Sequence, residues 1–181
     1  MRAVTASSIV AALALGVLPA RALTPAGSMR PAAHVVDADD HRLDLRSING
    51  RPILVLYEDK DNAKTNDALK AELSALAKGD RYRNAVALVP VADVQSFDFW
   101  PVRGFVKDAV RGESKKVGAT IYLDWDGTFQ RAAGFRRGTS SVMLVGRDAR
   151  ILFSSEGALS VEQRAHLIGL LRAEVEGNGG S

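Results

Sequence analysis

The hydrophobic pattern of this 181-residue chain predicts an α/β fold in three layers, a mixed central sheet with helices on both faces and an N-terminal hairpin. Three observations predict it. Two apolar runs, Pro52 to Tyr57 and Ala85 to Val94, are continuous and rich in branched side chains, as strands covered on both faces require. Each is followed by apolar residues at three- and four-residue steps. Two shorter runs, Ser141 to Val145 and Ile151 to Phe153, flank the turn residues Gly146 to Ala149 and predict an antiparallel hairpin.

Taken from the N-terminus, Arg2, the apolar run Val10 to Leu18 and the triplet Ala20, Arg21, Ala22 read as a signal peptide over 1–22, cut before Leu23. The run is shorter than the roughly 20 apolar residues a membrane-spanning helix needs, so no stable membrane anchor is expected after cleavage. Residues 23–33, with Pro25, Gly27 and Pro31, lack periodicity and are expected to be a flexible lead-in to one domain over 34–177. Val35, Val36, Leu43 and Leu45 flank the turn residues Asp37, Asp39 and Asp40 and make the first hairpin.

After the strand at Pro52 and a polar loop from Glu58 to Asn66, Ala68, Leu69, Leu73, Leu76 and Ala77 recur at helical spacing, with Gly79 as the stop. Pro101 opens a second helix with apolar positions Val102, Phe105, Val106, Ala109 and Val110. Thr120 to Leu123 is a further strand. Ser160 and Gln163 have capping-box spacing ahead of a terminal helix whose apolar face is Val161, Ala165, Ile168, Leu171 and Val175. Gly177 ends it, and 178–181 form a disordered tail.

Composition excludes several classes of function. The chain has no cysteine, so thiol–disulfide and cysteine-peroxidase chemistry and thiolate metal sites are ruled out. Without Arg2 and Arg21, 22 of the 24 basic side chains remain and nearly balance the 21 acidic ones, and no basic stripe interleaved with aromatics occurs, so no nucleic acid partner is expected.

The strand, loop and helix of Ile53 to Ala77 resemble the corresponding part of thioredoxin-like proteins. Asn62, Ala63, Lys64 and Thr65 stand where redox members carry Cys-x-x-Cys. Gly138 to Gly157 resembles the hairpin that follows their cis-proline, with Ser140 and Ser141 in its place. Ser140 to Val145, Gly157 to Ser160, the Ala63–Lys64 loop and the leader together resemble the YtfJ-like family of cysteine-free exported proteins. That resemblance implies a thioredoxin-like fold and a periplasmic or otherwise exported location, with no defined activity.

Other motifs yield to simpler readings. Asp124, Trp125, Asp126, Gly127 and Thr128 resemble the first motif of haloacid-dehalogenase-type phosphatases, but too little chain follows for that fold, and a strand ending in an Asp-Gly turn suffices. A calcium loop begun at Asp59 would need Gly and Glu where Lys64 and Lys70 stand. His34, His41 and His166 are too scattered to specify a metal site by spacing, and no Gly-x-Ser-x-Gly elbow is present.

What remains is a surface where the helix-start loop meets the loop before the terminal hairpin: Asp61, Asn62, Lys64, Thr65, Arg136, Arg137, Thr139, Ser140 and Ser141. The aromatics Phe97, Phe99, Trp100 and Trp125 either border it or cap the core. The expectation is a redox-inactive exported binding protein for an envelope protein or peptide, with no cofactor or metal. The alternative is an enzyme with a polar site around Asp61, Lys64 and Asp93.

Overall fold

The computed structural model describes residues 23–177; the expected leader over 1–22 and tail over 178–181 lie outside the described residues. The elements are β1 (His34–Val36), β2 (Arg42–Asp44), β3 (Ile53–Glu58), α1 (Asp67–Ala77), α2 (Asp80–Ala85), β4 (Ala87–Asp93), α3 (Val102–Val117), β5 (Tyr122–Asp124), α4 (Thr128–Ala133), β6 (Ser141–Val145), β7 (Ile151–Glu156) and α5 (Val161–Glu176). The seven strands form one sheet in the order β2-β1-β5-β4-β3-β6-β7. β3 runs parallel to β4 and antiparallel to β6, and β4 runs parallel to β5, so the sheet is mixed as expected.

The central strand shows why its sequence is continuously apolar. Ile53, Val55 and Tyr57 pack on one face with Phe129, Ala133 and Phe135, while Leu54 and Leu56 pack on the other with Leu69 of α1 and Leu167 and Leu171 of α5. Each of the Val, Leu, Ile and Phe side chains among them contributes roughly 1.5–3 kcal/mol of transfer free energy. The face of Leu54 and Leu56 also carries α3, whose Val106 and Val110 meet Leu123 and Trp125. α4 covers the opposite face, which completes the three layers.

Several expectations change. Residues 23–33 are tied down although aperiodic: Met29 bridges to Arg150, Thr24 Oγ1 donates to Ala133 O at 2.9 Å, and Ala33 is buried. Backbone pairing with the start of β7 anchors this lead-in where side-chain periodicity gives no signal. Ala85 ends the short helix α2 and does not begin a strand, and β4 is buried mainly through Ala87, Val89, Val91 and Asp93, leaving Leu88 exposed.

On α3, Phe105 and Ala109 face solvent, so the apolar stripe, half-buried at Val102, Val106 and Val110, is narrower than the periodicity suggests. On α5 the buried face is Leu167, Leu171 and Val175, and Val161 is exposed. The capping box is present: Gln163 N donates to Ser160 Oγ at 3.2 Å, and Ser160 N donates to Gln163 Oε1 at 2.9 Å.

Candidate functional site

The C-terminal ends of β3 and β4 point toward the start of α1, and polar side chains gather there. Asn66, which precedes α1, leaves its own helix uncapped and reaches across to the β6–β7 hairpin. Its Nδ2 donates to Ser140 Oγ at 2.9 Å and to Gly157 O at 3.0 Å, and its Oδ1 accepts from Leu159 N at 2.9 Å. Ser140 Oγ donates to Glu58 Oε1 at 3.1 Å, and Lys70 Nζ holds Glu58 Oε2 at 2.7 Å while also donating to Ala63 O. Burial pushes the Glu58 carboxyl above its ordinary value, and the bonds from Lys70 and Ser140 oppose that without cancelling it.

The loop after β3 is braced from within. Asp59 Oδ1 accepts from Asp61 N at 2.8 Å and Asn62 N at 3.0 Å, and Asn62 Oδ1 accepts from Asp59 N at 2.9 Å. These are turn-forming bonds of the kind Asp and Asn side chains make with nearby backbone. They account for Asp59 of this loop.

A groove of about 360 Å³ opens beside that loop. Asp59, Lys60 and Asp61 come to it from the β3–α1 loop, Asp93 and Phe97 from the end of β4 and the turn beyond, and Arg137 and Gly138 from the approach to β6. Lys60 Nζ pairs with Asp61 at 2.7 Å, and Arg137 donates to Ser96 Oγ at 2.7 Å. Asp93 is 7% exposed, and its Oδ1 accepts from Gln95 N and Gln95 Nε2, both at 3.1 Å.

Beneath the groove, Tyr57 Oη donates to Asp124 Oδ2 at 3.1 Å, and Asp124 also accepts from Phe129 N at 3.3 Å and Gln130 N at 2.9 Å. Burial raises the Asp124 carboxyl despite these bonds. Burial and the negative charges of Asp124 and Asp93 raise the Tyr57 phenol far above its ordinary value. The phosphatase-like aspartates therefore act structurally: Asp124 organises the start of α4, and Asp126 Oδ1 accepts from Thr128 N at 2.9 Å.

The residues singled out from the sequence separate into three groups. Asp61 and Arg137 line the groove. Ser140 and Ser141 are buried, Ser140 inside the Asn66 network, so neither presents its hydroxyl as a surface for a partner. Lys64, Thr65 and Arg136 are exposed, Arg136 pairing with Glu156 at 2.7 Å, while Asn62 and Thr139 are half-buried. Of the aromatics, Phe97 borders the groove, Trp125 is buried beneath the Arg103 guanidinium, whose carbon lies 4.5 Å from the ring centroid, and Trp100 is 91% exposed. Glu58 and Asn66 escaped sequence reasoning because Ser140, Gly157 and Leu159 lie far along the chain, and Lys70 because its pairing with Glu58 depends on how the β3–α1 loop folds back.

At the first hairpin, Asp37, Asp39 and His41 bring ligand atoms together, and Asp37 Oδ1 accepts from Asp39 N at 2.8 Å and His41 N at 2.9 Å. The hydrogen bond that the His41 imidazole donates to the Asp37 carboxylate holds its pKa above the ordinary value. This is an Asp turn closed by an ion pair.

No family model matches the chain, and no curated protein matches it. Solved structures do. A proposed protein disulfide isomerase from Bacteroides thetaiotaomicron superposes with a TM-score of 0.60 at 17% identity, covering 84% of this chain and 91% of its own. A proposed thiol:disulfide interchange protein DsbE from Chlorobium tepidum gives 0.59 at 16% identity, covering 81% and 98%. The bacterioferritin comigratory protein of Xanthomonas campestris, described for its alkyl peroxide reduction activity, gives 0.59 at 15% identity, covering 84% and 100%. The fold is thioredoxin-like, and it is here carried by a chain without cysteine.

Proposed function

We propose that this protein is an exported, redox-inactive binding or accessory protein of the cell envelope, built on the thioredoxin-like scaffold and using the groove between the β3–α1 loop, the turn after β4 and the approach to β6. The observation that carries this reading is the filling of the helix-start region. With no thiol in the chain, the space between α1 and the β6–β7 hairpin is occupied by the Asn66, Ser140, Glu58 and Lys70 network, which is satisfied within the protein. Fold alone does not assign chemistry, and this network offers no electron-transfer group. Beside it the groove is a concave polar surface open to a ligand.

Export is supported by Arg2, the Val10 to Leu18 run and the Ala20, Arg21, Ala22 triplet, and by the resemblance to YtfJ-like proteins. Among the described residues no helix is long and apolar enough to cross a membrane.

Two measurements test the reading. The purified protein should leave insulin disulfides and alkyl peroxides untouched, at rates equal to those without protein; turnover above that background would sink it. Residues 1–27 fused to a reporter enzyme should send it out of the cytoplasm with cleavage before Leu23, and a reporter retained uncleaved inside the cell would remove the exported location.

A further inference from the structure

We propose that Asn49 is a site of spontaneous covalent modification: its side-chain amide closes onto the Gly50 nitrogen and hydrolyses to aspartate and isoaspartate, with the Arg30 guanidinium stabilising the ring-closing step. The inference is independent of the groove and of the binding role assigned to it.

Asn49 and Gly50 lie in the connection between β2 and β3, and both are exposed. Gly50 has φ +73°, in the left-handed region, and apart from its chain neighbours nothing lies within 4 Å of where a Cβ would stand on it. Among the described residues no hydrogen bond engages the Gly50 N–H or the Asn49 Nδ2 group. Asn49 Oδ1, by contrast, accepts from Arg30 Nη2 at 3.1 Å. The same guanidinium donates to Arg46 O at 3.0 Å and to Ile48 O, which fixes it against this connection.

Nucleophile and leaving group are thus free, and the carbonyl between them is polarised. The Gly50 nitrogen, once its proton has passed to solvent hydroxide, attacks Asn49 Cγ. The negative charge that develops on Oδ1 meets a donor already bound there, as in a preorganised oxyanion site. The N–Cγ bond forms, the Cγ–Nδ2 bond breaks, and ammonia leaves with a proton from water. Water then opens the five-membered imide. Addition at Cγ gives aspartate, and addition at the backbone carbonyl of Asn49 gives isoaspartate, with Gly50 carried on the side chain. One water enters and one ammonia leaves, with no oxidation or reduction. Either product exchanges a neutral amide for a carboxylate beside the Arg30 cation.

The other asparagines among the described residues lack this combination. Asn62 and Asn84 precede alanine, and Asn66 precedes Asp67 with both ends of its amide engaged.

The test follows Asn49 in the full chain at mildly alkaline pH and physiological temperature. Peptide mapping by mass spectrometry reads the exchange of amide for acid, and fragmentation separates aspartate from isoaspartate. A synthetic peptide with the sequence of residues 44–54 supplies the same local sequence without Arg30. Asn49 in the folded chain should convert at least as fast as in the peptide and faster as pH rises, because the attacking nitrogen must lose its proton. Arg30→Ala should slow conversion about tenfold, as loss of one charged hydrogen bond to the developing anion implies. Arg30→Lys, which keeps a cation without the planar fork, should fall between the two. Asn49→Gln, whose ring closure needs six members, should stay intact.

Conversion slower in the folded chain than in the peptide overturns the proposal, as does a folded Arg30→Ala or Arg30→Lys that converts as fast as wild type or faster. Circular dichroism and thermal unfolding establish that the variants fold; where Arg30→Ala does not, Arg30→Lys and the peptide comparison decide. Neither result touches the groove, whose binding role is read in separate assays.

Discussion

Tyr57 and Asp124 are joined by a buried hydrogen bond of 3.1 Å that passes over β4 to link the ends of β3 and β5. The same carboxylate accepts two backbone N–H groups at the start of α4, and the Tyr57 ring stacks on Phe129 of that helix with centroids 6.0 Å apart. The two side chains together thus fix two strand ends, a helix start and an aromatic stack. Tyr57→Phe should cost about 1–2 kcal/mol by leaving Asp124 short of a donor. Asp124→Ala, which also removes the helix-start acceptor, should cost about 2–4 kcal/mol. Urea denaturation of both and of the double variant measures the coupling; a neutral Tyr57→Phe would show that the bond contributes nothing net.

Glu58 and Asp124 both have carboxyls raised by burial, which fixes the sign of their pH dependence. Between the ordinary value and the raised one, the folded protein holds a proton that the unfolded chain has released, so stability falls as pH rises through that window and levels off above it. The lowered carboxyls, such as Asp44 beside Arg46 and Asp126 beside the Thr128 amide, act in a lower window, where stability is lost as pH falls. Glu58→Gln isolates one contribution. The Tm of wild type relative to this variant should be highest near pH 4 and decline toward neutrality, even though Lys70 faces the same carboxylate. A difference that grows with pH would mean that the Lys70 pair, and not burial, dominates.

Asn66 is the joint between α1 and the β6–β7 hairpin, since its amide satisfies Ser140, Gly157 and Leu159 at once. Asn66→Ala leaves two buried groups and the half-buried Gly157 carbonyl short of a partner and should cost about 2–4 kcal/mol. Asn66→Asp should not rescue it, because a carboxylate has no proton to donate to Gly157 O. Chemical denaturation of the two variants checks this, and wild-type stability in Asn66→Asp would show that the two donated bonds are dispensable.

How much of this was legible in the sequence depended on range. Ile53 to Tyr57, Leu69 to Ala77 and Ser141 to Val145 announce themselves because pattern and burial coincide over a local stretch. α2 and α4 are six residues each, less than two turns, and no periodicity can emerge at that length. Phe105 and Val161 fit a helical stripe and face solvent, because pattern cannot say where the neighbouring element stops. At the site, Asp61 and Arg137 were found from loop adjacency in the resembled fold. The bond from Asn66 to Ser140 spans 74 positions and that from Ser140 to Glu58 spans 82, distances over which a single sequence carries no pairing signal.

Gly127 couples the stability of the β5–α4 turn to the groove. Its φ is +70°, in the left-handed region that side chains resist, and a Cβ placed there would lie 2.3 Å from Gln95 Oε1. Gly127→Ala therefore meets two penalties, a backbone one of about 1 kcal/mol and the displacement of Gln95, for a total of about 1–3 kcal/mol. Gln95→Ala should relieve the second penalty and leave the first, so the double variant should be more stable than the sum of the single changes predicts. Because Gln95 holds Asp93 Oδ1 through both its backbone and side-chain nitrogens, pushing its side chain aside should also shift the Asp93 amide resonance. Thermal denaturation and an amide spectrum of the three variants separate the two effects; strict additivity would mean that the turn accommodates the methyl group without moving Gln95.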